Sequence, residues 1–418
     1  MKVDTVRKVD YYAGVPLCFF ATVIKKCRSL LSRANQQNKP KNILFIELSE
    51  MGSAILADPA MLKLKHTLNA NLYFAIFRRN SASLDLLRTI PRENVFIMSD
   101  DGLLNIAIGA FKFLFWTRKN NIDTTIDLEL FSRFSALLTG FSGAQRTVGF
   151  HAFYNEGLYR GDLLTHKVAY NPHLHIAKNF VALANAVLSP RAEVPYSKTV
   201  VPDEEISLRK VVVSEEAKGK MRTKISHAFP RYSAEQHQIV LFNTNASELV
   251  PLRRWPQAYY TTLAKTILHR YPNVVILLTG DGTERSNKDI IVAEVNSDRC
   301  VNFAGQTSVS DLPALYSVSD FMLTNDSGPA HFAAVTDMPV FVLFGPETPK
   351  IYAPLGAMTP LYAGLACSPC VSAANHRKTP CRDNVCLQTI SPEQVLQSLL
   401  PVLNHDITSQ SRTDGSSG

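Results

Sequence analysis

The sequence predicts an α/β protein made of two doubly wound domains, and three observations predict it. Short continuous apolar runs such as Asn42–Ile46, Gln238–Asn243 and Val340–Phe344 have the pattern of strands buried on both faces of a parallel sheet. Helical patterns alternate with them, the sequence signature of a layered α/β fold. The chain has 418 residues, too long for one typical core, and the alternation restarts in its second half.

Composition agrees with that reading. Hydrophobic residues make up 46% and charged residues only 19%, values of a globular chain that exclude disorder over most of its length. The net charge of +8 is concentrated at one end. Residues 1–41 carry nine Lys or Arg against Asp4 and Asp10, a net +7, which leaves +1 for everything else. The basicity belongs to a leader, residues 1–40, and not to the folded body.

That leader holds an apolar stretch from Tyr11 to Ile24, followed at once by Lys25, Lys26 and Arg28. Fourteen residues are fewer than the roughly 20 needed to span a hydrocarbon core, and no small-residue cleavage pattern follows. Two readings stand. As an interfacial helix, its apolar side lies at an anionic membrane surface with its cations on the headgroups; as an ordinary helix, it packs on the protein and its charges are a solvated face. No basic stretch is interleaved with exposed aromatics, so nucleic acid is not an expected partner.

The first domain, residues 41–202, opens with the strand Asn42–Ile46 and continues through a helical pattern at Pro59–Leu68 and strands at Asn71–Phe77 and Asn94–Met98. Thr124–Leu128 is a further strand, followed by an amphipathic helix and an exit strand around Val148; residues 151–202 carry no clear pattern. Charges thicken from Asp203-Glu204-Glu205 to Arg231, marking the entry to the second domain, 203–405. There Gln238–Asn243, Val274–Thr279, Phe321–Thr324 and Val340–Phe344 are strands, with a helix at Tyr259–His269. Residues 406–418 have no apolar period and read as a disordered tail.

The most informative stretch is FMLTNDSGPAHF at 321–332. A strand stops at Thr324, a polar turn Asn325-Asp326-Ser327-Gly328 follows, and Pro329 suits the first position of a helix. Such a helix start offers unpaired N–H groups and the positive end of a dipole to a phosphate. The motif reads as a diphosphate cradle, with Ser327 and Gly328 at the phosphate and Asp326 and His331 placed to contact a ribose, a phosphate oxygen or a leaving group. Asn243 and Thr244 follow another strand with amide and hydroxyl groups, and Arg253 and Arg254 offer guanidinium forks to the same diphosphate. No GxGxxG fingerprint or P-loop is present.

A third constellation is Cys367, Cys370, Cys381 and Cys386, with His376 between them. A CxxC pair followed by two more cysteines in a short loop is a spacing that closes four thiolates around one zinc or iron. Four ligands leave no open position, so such a metal is structural and no catalytic metal is expected.

TNDSGPAHFAAVTDMPVFVLFGPETPKIYAPLG resembles the C-terminal signature of glycosyltransferase family 9, the ADP-heptose:lipopolysaccharide heptosyltransferases. The likeness extends to NILFIELSEMGSAILADPAML, to TTIDLELFSRFSALLTGFSGAQRTVGF and to IVLFNTNASELVPLRRWP. The resemblance implies a GT-B fold, with Rossmann-like domains facing a cleft, acceptor on the N-terminal half and ADP-sugar donor on the C-terminal half. It implies an inverting, metal-independent transfer of a heptose or related sugar to a lipopolysaccharide-type glycan or glycolipid, in the cytoplasm or on the inner face of its membrane. It makes Arg253 the first choice for the phosphates and Arg254 the second, and gives Glu284 a contact to the sugar or ribose. Similar cysteine clusters in the family bind iron in some members.

One departure concerns the general base. The family's first loop commonly carries an Asp where this chain has Ser53 after Gly52. Glu50, at the carboxyl end of the first strand, is the preferred replacement and Glu129 the alternative, with Glu47, Asp58 and Asp127 nearby. Two other classes stay open: a catalytically silent nucleotide-sugar-binding protein, and a membrane-associated scaffold, against which the intact donor motif argues.

Overall fold

The computed structural model describes residues 3–31, 39–154, 158–246, 250–372, 375 and 377–404. The tail at 406–418 and His376 lie outside the described residues. By its internal contacts the chain forms two units, one up to Leu208 and the other from Arg209.

The first unit has six strands: β1 (Asn42–Ile46), β2 (Asn71–Phe77), β3 (Val95–Met98), β4 (Thr124–Asp127), β5 (Arg146–Phe150) and β6 (His166–Val168). They form one sheet in the order β3-β2-β1-β4-β5-β6, every pairing parallel. This is the Rossmann order, with the crossover direction reversing between β1 and β4. After Asn42, β1 is apolar because helices cover both faces, and Ile43, Leu44, Phe45 and Ile46 are all fully buried.

Residues 151–202 contain β6 and a helix over Ile176–Leu188. The sequence hid both. β6 is three residues long, and the helix starts on His175, whose side chain accepts from the Ala177 N–H at 3.2 Å in place of a usual cap residue. The turn Asp203–Ile206 stays with the first unit, where Lys178 pairs with Asp203 at 2.8 Å.

The leader forms two helices, Val3–Tyr12 and Gly14–Leu31, which pack on the helix Arg133–Phe141. Asp10 Oδ1 accepts from the backbone N–H of Arg133 at 2.9 Å and of Phe134 at 3.2 Å, and Asp10 Oδ2 pairs with the Arg133 guanidinium at 3.1 Å. A carboxylate there satisfies two orphan donors and meets the positive end of the helix dipole. Gly161, at φ +75°, accepts the close approach: a Cβ there would stand 2.8 Å from the Cys18 carbonyl oxygen.

The second unit repeats the plan with β7 (Gln238–Asn243), β8 (Val274–Leu278), β9 (Cys300–Asn302), β10 (Phe321–Asn325), β11 (Val340–Phe344) and β12 (Met358–Tyr362). Their order is β12-β11-β10-β7-β8-β9, all parallel, so its reversal falls between β7 and β10. Trp255, Tyr260, Phe242, Phe321 and Phe341 fill the core on one face, and the Trp255 indole N–H donates to the Ile390 carbonyl at 2.8 Å. The helix Pro392–Leu403 closes that face from a capping box of Ser391 and Gln394.

Candidate active site

Open α/β sheets bind ligands beyond the carboxyl ends of the strands where the strand order reverses. Both units carry clusters of polar residues at that point.

In the second unit, β7 delivers Asn243 and Thr244 and β10 delivers Asn325 and Asp326 side by side. Asn325, which sequence reasoning left as part of a turn, organises the site. Its Oδ1 accepts from the Trp255 N–H at 2.9 Å and the Tyr260 hydroxyl at 3.2 Å, and its amide donates to the Asn245 carbonyl at 3.2 Å. These bonds fix the segment before Trp255. That segment then places Arg253, buried, with Nη1 at 3.5 Å from Asp326 Oδ2. The contact is long for a guanidinium–carboxylate pair, and Arg253 Nε makes no hydrogen bond among the described residues. Donor capacity therefore remains on the guanidinium.

Arg254 donates from Nη2 to the Ala246 carbonyl at 2.9 Å. Its own carbonyl accepts from the Asn384 amide at 2.9 Å, and that of Leu252 at 3.3 Å, so the cysteine-rich loop braces the arginine pair from behind. Asn243 is turned inward, donating to Thr279 Oγ1 at 3.3 Å, and serves to join β7 to β8.

Sequence reasoning also missed Lys288. It lies i+4 from Glu284, on the helix Arg285–Val295, and pairs with it at 3.2 Å while donating to Thr244 Oγ1 at 2.7 Å. The side chain is almost wholly buried, and burial lowers its pKa, opposed by Glu284. The Glu-x-x-x-Lys spacing was the available signal. Arg253, Arg254 and Lys288 thus set three cationic groups against the carboxylates of Asp326 and Glu284 around one loop cluster, an arrangement that accommodates an anion.

The helix after β10 spans Gly328–Ala333, with Ser327 as N-cap and Pro329 in its first turn. Ser327 Oγ donates back to the Asn325 carbonyl at 3.1 Å, and His331 is buried one turn on. A Cβ on Gly328 would meet only the Phe332 ring, at 3.4 Å, so the chain's own packing leaves room at that position.

In the first unit four carboxylates gather where β1 and β4 end. Glu129 Oε1 accepts from the N–H of Leu48 at 2.9 Å, the N–H of Ser49 at 3.1 Å and the Ser49 hydroxyl at 3.0 Å. Its carboxylate thus shapes the loop after β1. Glu47 Oε1 accepts from the N–H of Ser49 and of Glu50, both at 3.3 Å. Asp127 is buried and bound by Arg160, with Ser135 donating to it at 3.2 Å. Burial and then the Asp127 charge push Glu129 up to about 7, and burial and then Glu129 and Glu50 raise Glu47 well above the carboxylate range.

Glu50 differs from its neighbours in being only half-buried. It is the N-cap residue of the helix Met51–Leu56, with no side-chain cap bond, and Ser53 Oγ donates to its Oε2 at 3.0 Å. Of the two candidate bases, Glu50 is the accessible one, and Glu129 is committed to the loop it holds.

The cysteines lie near one another without closing. Cys386 is buried, and its pKa is raised by burial first and then by Cys370, Cys381 and Cys367. Cys370 Sγ, however, accepts from Thr379 at 3.3 Å and Cys381 Sγ donates to Asp383 at 3.3 Å. Among the described residues no three His, Cys, Asp or Glu side chains converge as metal ligands.

Residues 117–379, well over half of the chain, match the sequence profile of glycosyltransferase family 9 (heptosyltransferase). The chain belongs to glycosyltransferase family 9. The matched span includes β10, the Asp326–His331 turn and both arginines.

Lipopolysaccharide heptosyltransferase 2 of Salmonella typhimurium is 35% identical over 112 residues, 26% of this chain and 32% of that protein. The Escherichia coli K12 protein of the same name is 29% identical over 133 residues, 31% and 38% of the two chains. The matches thus span about a third of these relatives' length. In fold, the structure of E. coli ADP-heptose lps heptosyltransferase II superposes with a TM-score of 0.64 at 21% identity, over 87% of this chain and 98% of that one. A glycosyltransferase family 9 structure from Veillonella parvula gives 0.65 at 18% identity, over 87% and 97%. The two six-stranded parallel sheets are those of the GT-B glycosyltransferases.

Proposed function

We propose that this protein is an inverting glycosyltransferase that moves a heptose, or a related sugar, from an ADP-sugar to a lipopolysaccharide-type or other glycan acceptor. The observation that carries the reading is the buried Arg253–Asp326 pair at the strand reversal of the second unit, flanked by Arg254, Lys288, Thr244 and Glu284. Arg253 and Arg254 hold the diphosphate, and the backbone at Ser327 and Gly328, with His331 behind it, receives the negative charge that develops on the ADP leaving group. Glu284 accepts from a sugar or ribose hydroxyl. Asn243 supports Thr244 through its bond to Thr279.

On the first unit, Glu50 takes the proton of the acceptor hydroxyl as that oxygen attacks the anomeric carbon and ADP departs from the opposite face. The buried Glu47–Glu129 pair holds the loop that presents Glu50. No step uses a catalytic metal. A zinc or iron held by Cys367, Cys370, Cys381 and Cys386 would be structural, and would draw in thiols now engaged by Thr379 and Asp383.

The relatives' names support lipopolysaccharide as the acceptor class. In this reading the protein works on the cytoplasmic side, in peripheral contact with the inner face of the membrane. The deciding experiment is a thermal-shift screen of nucleotide sugars followed by transfer assays: ADP-sugars alone should stabilise the protein, by about 2.7 kcal/mol at 100 times the dissociation constant. Equal stabilisation by UDP- and GDP-sugars would overturn the donor assignment, and binding without turnover would leave a nucleotide-sugar-binding protein.

A further inference from the structure

The helix Gly14–Leu31 is amphipathic in reverse. A surface helix normally turns its large apolar residues inward. This one turns Gly14, Cys18 and Ala21 inward, in steps of four and three, and a Cβ on Gly14 would fall 2.8 Å from Arg133 Cβ. Leu17, Phe19, Phe20, Val23 and Ile24 are exposed instead, Phe20 by 61%.

A second helix of the first unit, Leu103–Lys119, does the same. It buries Gly109, Phe113 and Thr117, and exposes Leu104, Ile108, Phe111 and Phe115 in steps of four, three and four, so that they form one stripe. Leu104 is 74% exposed, Phe111 67% and Phe115 76%. Both helices pack against the same helix of the first unit, Arg133–Phe141. Lys112, Arg118 and Lys119 are exposed on the second helix, and Lys26 on the first. Asp100 and Asp101 lie at the other end of the second helix, ahead of Leu103.

We propose that this two-helix face docks on an anionic lipid bilayer, with the aromatic and aliphatic stripes in the headgroup region and the lysines and arginines on the phosphates. Two outward stripes of large apolar residues edged with cations are the composition of helices that lie in a membrane surface. No described helix is long and apolar enough to cross a membrane, so the contact is peripheral. The cations favour lipid over a second copy of the chain, because paired copies would bring Lys26, Lys112 and Lys119 against their own kind. The inference rests on exposure and charge within the first unit, and stands independently of which sugar is transferred.

The test is flotation of the full-length protein with vesicles of phosphatidylcholine, with and without phosphatidylglycerol. Wild type should float with the anionic vesicles and lose them in high salt. The double variants Phe111→Ser/Phe115→Ser and Phe20→Ser/Ile24→Ser should each bind about tenfold more weakly. Lys112→Glu/Lys119→Glu should do the same through charge. All these side chains are exposed, so melting temperatures should stay at the wild-type value, which separates loss of docking from loss of fold. Failure of wild type to float, or equal binding by all variants, overturns the proposal. So does a wild-type dimer in sedimentation that the aromatic variants convert to monomer without any vesicle binding.

Discussion

The Ser53 hydroxyl donates to Glu50 Oε2 at 3.0 Å, so the residue standing at the family's usual aspartate position is a partner of the carboxylate proposed to replace it. The bond steadies Glu50 at the start of the helix Met51–Leu56. Glu50→Gln is expected to lower single-turnover transfer by about 10²–10⁴-fold at saturating donor while donor affinity holds. Ser53→Ala should cost no more than about tenfold, one hydrogen bond's worth. If Glu50→Gln transfers at the wild-type rate and Glu129→Gln does not, the base is Glu129.

For the donor, Arg253→Ala should weaken ADP-sugar binding by about 10–100-fold, the range of one charge-assisted contact. Asp326→Ala and His331→Ala should each weaken it too, Asp326→Ala with an added loss of stability because it strands a buried guanidinium. Titration calorimetry on the folded variants reads this directly. Unchanged affinity in all three would remove the site.

The buried carboxylates set a pH dependence of stability. Glu129 titrates near about 7 when folded, against an ordinary value of 4.5, so between those values the folded chain binds more protons than the unfolded one. Its contribution to stability is complete below about pH 4.5 and is lost as pH rises through about 7. Thermal midpoints should therefore fall across this window, and Glu47→Gln or Glu129→Gln should flatten the fall. An identical slope in both variants would put the titrating group elsewhere.

The cysteine loop is tested by elemental analysis of the purified protein. Close to one zinc or iron per chain is expected, lost in Cys370→Ser. Free thiols at Cys367, Cys370, Cys381 and Cys386 without stoichiometric metal would leave the loop the purely mechanical part it plays through Asn384.

The fold was legible wherever strands held a long apolar run: Asn71–Phe77, Gln238–Asn243 and Val340–Phe344 run as the pattern set them. It was illegible where an element was short, as in β6, or where a second apolar stripe faces solvent, as Leu104, Ile108, Phe111 and Phe115 do on Leu103–Lys119. The turn after β10 could be read because Asn-Asp-Ser-Gly-Pro is local chemistry. Lys288 and Asn325 escaped because their roles depend on partners 44 and 70 residues away, Thr244 and Trp255. Glu47 was noticed as a nearby carboxylate, but its pKa is raised by burial first and then by Glu129 and Glu50, and all of these arise only in the folded chain.

The leader's attachments also fix an order of events during synthesis. Lys25 donates to the Leu163 carbonyl across 138 residues, and Asp10 reaches Arg133 across 123. At about 5–20 residues per second a ribosome needs roughly 7–28 s to supply that last partner. Until then Phe19, Phe20, Val23 and Ile24 are outside the ribosome with no domain behind them. The segment is therefore synthesised well before the residues on which it docks.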